Sequence, residues 1–434
     1  MEGKIFPEKI GNTVYEPGYL ERDPGVLPRG QIRLRAVESR EERTRILRGY
    51  FDRQIDVLYK EPKSAMRFPY LVPGGAYQDL WDWDAFFVAC AVPESGLRYA
   101  KGAVENFLDG IFRTTGRPAK KIGPDGSREA YSFPYPLQAQ FAYIIGERIG
   151  DFSWILPYWG SLKRMRTWFD THTRSPRGYY LWNKMYGNGL DNNPAVYGRP
   201  NRSSAGADLA SWHYRDLMAM VQLAKKFEPA LAEGYLAQAR ALREQIRQEY
   251  WDKIDRFFYN IDCQDDFEAA TCQEITWHTY LKYRNFSCFF PLWAGVATAE
   301  QAACMRDVLM DERQFLAPCG IRSHSKEDVD IYNNVQMVDP SNWQGPVWGL
   351  TSYLCAYGLA RYGYRQEAAE IVRRMGDTFV SDIEQNGCIH EYYSGEDGQP
   401  LFRPGFISWN VLARCAEDDI AAGTDCTTLG LLEE

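Results

Sequence analysis

The sequence predicts an all-α fold built as a toroid of paired helices. Three observations carry this reading. Helical periodicity recurs about twelve times along the 434 residues. Strand signals are few and short. Long loops rich in Gly, Pro, Asn and aromatic residues separate the helices, whereas a helical-repeat solenoid, the competing all-α architecture, has more uniform connections. No fixed-period repeat, Ser/Gly linker or charge run divides the chain, so it reads as a single domain spanning 1–434.

The first helix is predicted over 38–60, where Ile46, Leu47, Phe51, Ile55 and Leu58 fall on one stripe. Further helices are predicted over 84–92, 96–113, 136–149, 152–173, 206–227 and 229–250. The second half yields 286–297, 299–311, 346–362, 365–385 and 406–420, with Pro346 suited to a helix start. "RFFYNID" (256–262) and "GYYLWN" (178–183) read as pieces of hairpins. Long loops fall at 61–82, 113–135, 174–205, 312–342 and 386–405; uncommitted loops of that length tend to be functional.

Hydrophobic residues make up 45% of the chain and charged ones 25%, as in ordinary soluble proteins. A net charge of −8 without a basic block argues against nucleic acid or anionic membrane as partners. Nothing approaches 18 consecutive apolar residues, and "MEGKIFPEKIGNTVY" has no apolar core of a secretory signal. The ten cysteines are scattered without a C-x-x-C pair, and Cys90 and Cys355 lie in apolar helical patterns. They read as reduced core residues of a cytoplasmic protein. The five histidines have no zinc-ligand spacing, so no metal is expected. The aromatic count is high: 13 Trp, 28 Tyr and 22 Phe, many beside Gly, Pro or Asp. Rings in such settings suit half-apolar ligands such as sugars, and also plain cores.

Four segments concentrate acids and rings. "GGAYQDLWDWDAFF" (74–87) holds Tyr77, Trp81, Trp83 and Asp84, although Asp84 also fits as a carboxylate at a helix N-terminus. "YGNGLDNNP" (186–194) holds one acid, Asp191, among turn formers; an Asx-type turn is its bland explanation. "PSNWQGPVWGL" (340–350) brings Trp343 and Trp348, and "GCIHEYYSGEDG" (387–398) brings Glu391. Two carboxylates in aromatic loops fit glycoside hydrolysis, which needs one protonated acid and one ionised carboxylate. Only a closed fold brings residues 191 and 391 together.

These segments resemble glycoside hydrolase family 63 and its clan, which includes the trehalases. Within it they look most like the compact mannosylglycerate and glucosylglycerate hydrolases. The family's G-[LM]-D-N-[SN]-P stretch is matched by Gly189-Leu190-Asp191-Asn192-Asn193-Pro194, and its Asp-Leu by Asp208-Leu209. Its E-x-Y, glycine turn and F-x-W are matched by Glu391-Tyr392-Tyr393, Gly395 and Phe406-Ile407-Ser408-Trp409. Its WRGPxW is similar to Trp343-Gln344-Gly345-Pro346-Val347-Trp348. The sugar-site element Y-x3-W-x-W-D corresponds to Tyr77, Trp81, Trp83 and Asp84.

The resemblance implies an (α/α)6 barrel, a six-hairpin toroid with long loops and short β-hairpins at the active-site end. In it the insertions at 61–82, 113–135, 174–205 and 312–342 cap the site. It implies an inverting α-glycosidase with Asp191 as general acid and Glu391 as general base, and no cofactor or metal. Residues implied to bind the sugar are Tyr77, Trp81, Trp83, Asp84, Gln138, Tyr186, Asn192, Trp343, Gln344, Gly345, Trp348, Tyr392 and Trp409. The partner implied is a small sugar substrate, with homo-oligomerisation left open.

The chain departs from the family in two places. S-Q-P-P-L reads Phe133-Pro134-Tyr135-Pro136-Leu137, without its glutamine, and Gln138 and Gln140 are the two candidates to compensate. Asn342 and Gln344 stand where relatives carry Tyr and Arg. Arg199, Arg202 and Arg403 are candidates to clamp a carboxylate aglycone such as glycerate; a neutral aglycone is the alternative. Two other functions compete, a sugar epimerase or isomerase and a non-catalytic sugar-binding protein. The first usually needs histidines as proton carriers, and only His390 lies in one of the four segments.

Overall fold

The computed structural model describes residues 8–10, 13–15, 31–64, 66–111, 115–128, 134–183, 187–263, 278–337 and 341–434. Twelve α-helices run through them: α1 (Arg40–Gln54), α2 (Asp82–Ala91), α3 (Leu97–Asp109), α4 (Gln138–Ile149), α5 (Trp159–His172), α6 (Ala207–Phe227), α7 (Ala232–Glu249), α8 (Phe290–Trp293), α9 (Ala299–Leu309), α10 (Gly349–Arg361), α11 (Arg365–Asn386) and α12 (Ala416–Ala422). None of the described helices is long and apolar enough to cross a membrane.

Two kinds of helix divide the work. α1, α3, α7, α9 and α11 are amphipathic and bury one face. α1 starts where Ser39 Oγ accepts from the Glu42 amide at 3.1 Å. By contrast, α2 and α8 are buried at every residue, as are 138–146 of α4, 207–221 of α6 and 349–359 of α10. A 3-10 segment, Ser408–Arg414, is buried from 408 to 413. A helix that is apolar all round has to lie inside others. These six inner segments touch in a closed circuit: α2 to α4, α4 to α6, α6 to α8, α8 to α10, α10 to 408–414, and 408–414 back to α2. α3 packs on α2 and α4, α7 on α6, and α11 on α10, α1 and α12.

Two small antiparallel sheets sit between helices and fix loops. One orders His278–Leu281, Asn260–Cys263, Ser204–Ala205 and Leu181–Trp182, with Leu181 opposite Ala205 and Trp182 opposite Ser204. That pairing pins both ends of the loop carrying Asp191. The other orders Val347–Trp348, His390–Tyr393 and Pro400–Pro404, which puts Glu391 in a central strand.

Several predicted ends move for identifiable reasons. The helix predicted from 346 begins at Gly349, because Val347 and Trp348 are extended and pair with Tyr393 and Tyr392. The helix predicted over 152–173 opens with a 3-10 stretch, Ser153–Tyr158, carrying Pro157, before α5. That predicted over 406–420 splits into the 3-10 segment and α12. Nine cysteines are free among the described residues, six of them buried.

Candidate active site

A cavity of about 360 Å³ opens at the end of the fold where the long loops gather. Each of the five long loops contributes to its wall: Tyr77 and Trp81 from 61–82, Lys120 from 113–135, Gly189 and Asp191 from 174–205, Ser341 from 312–342, and Glu391 from 386–405. Helix starts and turns add Trp83, Asp84, Trp343, Trp348, Phe406 and Trp409. The mixture of rings with a few converging polar groups is that of a small-molecule site.

Asp191 comes from a loop whose turns are made by its neighbours. Asn188 Oδ1 accepts from the Leu190 amide at 3.2 Å and Asn193 Oδ1 from the Ala195 amide at 3.0 Å. Gly189 has φ of +66°, and a Cβ there would meet Trp83 at 2.8 Å and the Tyr135 hydroxyl at 2.9 Å. The Asp191 carboxylate is aimed outward from this turn: its Oδ2 accepts from Ser341 Oγ at 2.7 Å. Asn192 braces the loop. Its Oδ1 accepts from the Trp343 amide at 2.6 Å, and its Nδ2 donates to Asn342 Oδ1 at 3.0 Å.

Glu391 is buried, and its Oε1 accepts from the Tyr77 hydroxyl at 3.4 Å. Its Oε2 accepts no hydrogen bond among the described residues. The general base that the family resemblance implies here has to be ionised, which nearby donors favour. The donors exist, yet burial pushes Glu391 up to about 8; Arg403 and Tyr77 oppose this while Asp84 and Asp191 add to it. Asp84, at the start of α2, accepts from Ser408 Oγ at 2.6 Å. Burial raises it to about 7 against that bond, with Asp191 adding. Burial holds the Tyr77 phenol well above its ordinary range, so it stays a donor.

The rings support one another. Trp343 and Trp348 stack at 3.9 Å, Trp83 stacks on Tyr135 at 5.3 Å, and Trp409 meets Trp83 edge-on at 5.1 Å. The buried indole N–H of Trp409 has no acceptor among the described residues.

Nine of the predicted site residues therefore share one cavity: Tyr77, Trp81, Trp83, Asp84, Asp191, Trp343, Trp348, Glu391 and Trp409. Others do not line it. Asn192 is buried in the brace just described, and Gln344 Nε2 donates to the Asn192 carbonyl at 2.7 Å. A Cβ at Gly345 would meet the Asn333 carbonyl at 2.6 Å, and the Tyr392 hydroxyl donates to the Met337 carbonyl at 2.7 Å. Gln138 is fully buried at the start of α4; neither end of its amide has a partner among the described residues. Gln140 is committed to the Pro136 carbonyl and Arg215. Tyr186 lies outside the described residues.

Two candidate clamps are engaged elsewhere. Arg199 pairs with Asp262 at 2.5 Å, and Arg202 donates to the His172 carbonyl at 2.5 Å. His390 turns away from the cavity, its Nδ1 2.7 Å from Asp382. Sequence reasoning missed Ser341 and Lys120. The first stands one residue before the Asn-Trp-Gln-Gly-Pro stretch, which is a usable signal; the second has none.

The solved structures most informative for fold are a family 63 mannosylglycerate hydrolase from Thermus thermophilus in complex with glucose and neutral trehalase Nth1 from Saccharomyces cerevisiae. The first has a TM-score of 0.61 at 19% identity, covering 85% of this chain and 99% of that one. The second has a TM-score of 0.61 at 18% identity, covering 83% and 76%. Both therefore share the fold. The chain belongs to the mannosylglycerate hydrolase MGH1-like glycoside hydrolase family, whose model matches residues 77–409. Among curated relatives, mannosylglycerate hydrolase MGH1 of Selaginella moellendorffii is 30% identical over 152 residues, covering 34% of this chain and 28% of that protein. Cytosolic neutral trehalase of Kluyveromyces lactis is 24% identical over 409 residues, covering 75% and 51%. The chain thus spans about half or less of the length of these two relatives.

Proposed function

We propose that the chain is an inverting glycoside hydrolase acting on a small α-linked glucoside or mannoside, with Asp191 as general acid and Glu391 as general base. One observation carries the reading: these two carboxylates, from distant loops, line the same ring-walled cavity. Family membership and relatives named as mannosylglycerate hydrolases and trehalases support it. A single (α/α)6-barrel domain over 1–434 goes with it. The closed circuit of six buried segments and the amphipathic helices around them support that architecture.

Inversion needs a water between the base and the anomeric carbon, hence carboxyl groups roughly 6.5–9.5 Å apart. Asp191 gives its proton to the glycosidic oxygen as the bond to the aglycone breaks. Glu391 takes a proton from the attacking water. The two protonation states support each other. When Asp191 holds the proton, one of the two anions that raise Glu391 is gone, so the base ionises more readily. Asp84 is placed to hold sugar hydroxyls, and Trp83 and Trp343 to cover its apolar faces.

The test is a panel of α-linked glucosides and mannosides, including trehalose, mannosylglycerate and glucosylglycerate, followed by NMR. The β-anomer appears first, and Asp191→Asn and Glu391→Gln abolish turnover. An α-anomer appearing first, or wild-type rates in both variants, overturns the reading.

A further inference from the structure

We propose that Arg403 is the positioning residue for Glu391: its guanidinium counters the negative charge of that carboxylate and clamps the Tyr77 ring that donates to it. The proposal rests on the reading of Glu391 as the base.

Strand register places Arg403 there. His390 pairs with Pro404 and Tyr392 with Phe402, which sets Arg403 across from Glu391. Arg403 Nε lies 3.9 Å from Glu391 Oε2, with both side chains largely buried. That separation is long for a hydrogen bond and short for a charge pair out of water. The guanidinium carbon sits 4.3 Å from the Tyr77 ring centre and 5.0 Å from that of Phe402. Tyr77 then reaches the other carboxylate oxygen, Oε1. One cation and one phenol thus grip both oxygens of one acid. Arg403 does not line the cavity, whereas Tyr77 and Glu391 do, so it acts from behind them rather than on the sugar.

The backbone at Arg403 is strained, with φ of +35°, in a region non-glycine residues rarely adopt. Strain of this kind persists where surrounding contacts over-determine it, and it clusters at working sites. The electrostatic need is visible too. Glu391 faces two anions, Asp84 and Asp191, and it is buried; Arg403 is the cation acting against them, with Tyr77 as a neutral donor. Without that cation the base holds its proton to higher pH. Arg403 is therefore not the clamp for a charged aglycone that the sequence alone allows.

The test uses α-glucosyl fluoride and α-mannosyl fluoride as probes on the full chain. Fluoride leaves with little help from an acid, so the acidic limb of kcat/KM reports the base. In Arg403→Gln that limb moves up by about 1–3 pH units. Below it, kcat/KM falls about tenfold for each pH unit of displacement. KM measured above the limb stays near wild type, and Arg403→Lys restores most of the profile. Arg403→Met, which keeps the apolar stem, serves if the Gln variant does not fold. A limb that stays in place in the Gln and Met variants, while Glu391→Gln is inactive, overturns the role of Arg403 and leaves the base assignment standing. Fluoride hydrolysis by Glu391→Gln at the wild-type rate overturns that assignment, and the inference with it.

Discussion

Ser341 Oγ donates to Asp191 Oδ2 at 2.7 Å, and the Trp343 indole N–H donates to the same Ser341 hydroxyl at 3.2 Å. The carboxylate is thereby held by the segment that forms the opposite wall. Ser341→Ala removes the hydroxyl and leaves the longer bond from the Ser341 amide, 3.4 Å, so the carboxylate is held less firmly toward the glycosidic oxygen. We expect kcat/KM on an O-glycoside to fall about 10–100-fold, a fraction of what general acid catalysis supplies. Hydrolysis of α-glucosyl fluoride, which needs little protonation, should fall much less. Equal losses on both substrates would show that Ser341 does something other than orient the acid.

Gly189 is where the turn and the sugar site touch. Its φ of +66° strains any side chain, and an added Cβ would lie 2.8 Å from Trp83. Gly189→Ala should cost about 1–3 kcal/mol of stability through strain. It should also displace Trp83 and raise KM for a glycoside by about tenfold. Thermal melts and steady-state kinetics check the two effects separately. An unchanged KM would mean that Trp83 does not cover the bound sugar.

Asn192 ties the Asp191 loop to the Trp343 segment through both ends of its amide. Asn192→Ala strands the Trp343 amide in a buried place, at a cost of about 1–3 kcal/mol, while Asn342 Oδ1 keeps the Gln344 amide as its donor. Expected outcomes are a lower unfolding temperature and a fall in kcat/KM. Asn192→Asp keeps one acceptor for the Trp343 amide and should lose less stability than Ala at acid pH.

These residues also show what a sequence makes legible. The helices follow from periodicity, and the fully buried ones stand out as apolar runs such as "DAFFVACA" (84–91). Helix ends are less legible where a distant strand competes, as at Val347 and Trp348. Tyr77, Trp83, Asp84, Asp191 and Glu391 are readable because acids and rings beside turn formers are chemically odd in a core. The roles of Ser341 and Arg403 are not, even though each stands beside a motif, because their meaning comes from partners elsewhere in the fold: Asp191 and, across a strand pair, Glu391. Asn192, Gln344 and Tyr392 sit within motif stretches yet bond to backbone behind the wall, so proximity in sequence to a site residue overstates contact with the ligand.

Asp84 links stability to activity. Burial raises its carboxyl to about 7, against the Ser408 hydrogen bond. An acid whose folded pKa lies above its unfolded value binds more protons when folded. Its contribution to stability is whole below about pH 4 and is lost as pH rises through about 7. At pH 8 the native state therefore carries a buried anion at a cost, and Asp84→Asn removes it. The variant should melt about 2–4 °C higher than wild type at pH 8, with the difference vanishing near pH 4. Asp84 is also one of the two anions that raise Glu391, which stands at about 8. The same substitution should move the acidic limb of kcat/KM for α-glucosyl fluoride to lower pH, even as loss of a sugar contact raises KM. Differential scanning calorimetry across pH 4–8 and the pH profile check both halves. A variant less stable than wild type at pH 8, with an unmoved limb, would mean that Asp84 is ionised and satisfied at neutral pH and bears on Glu391 only weakly.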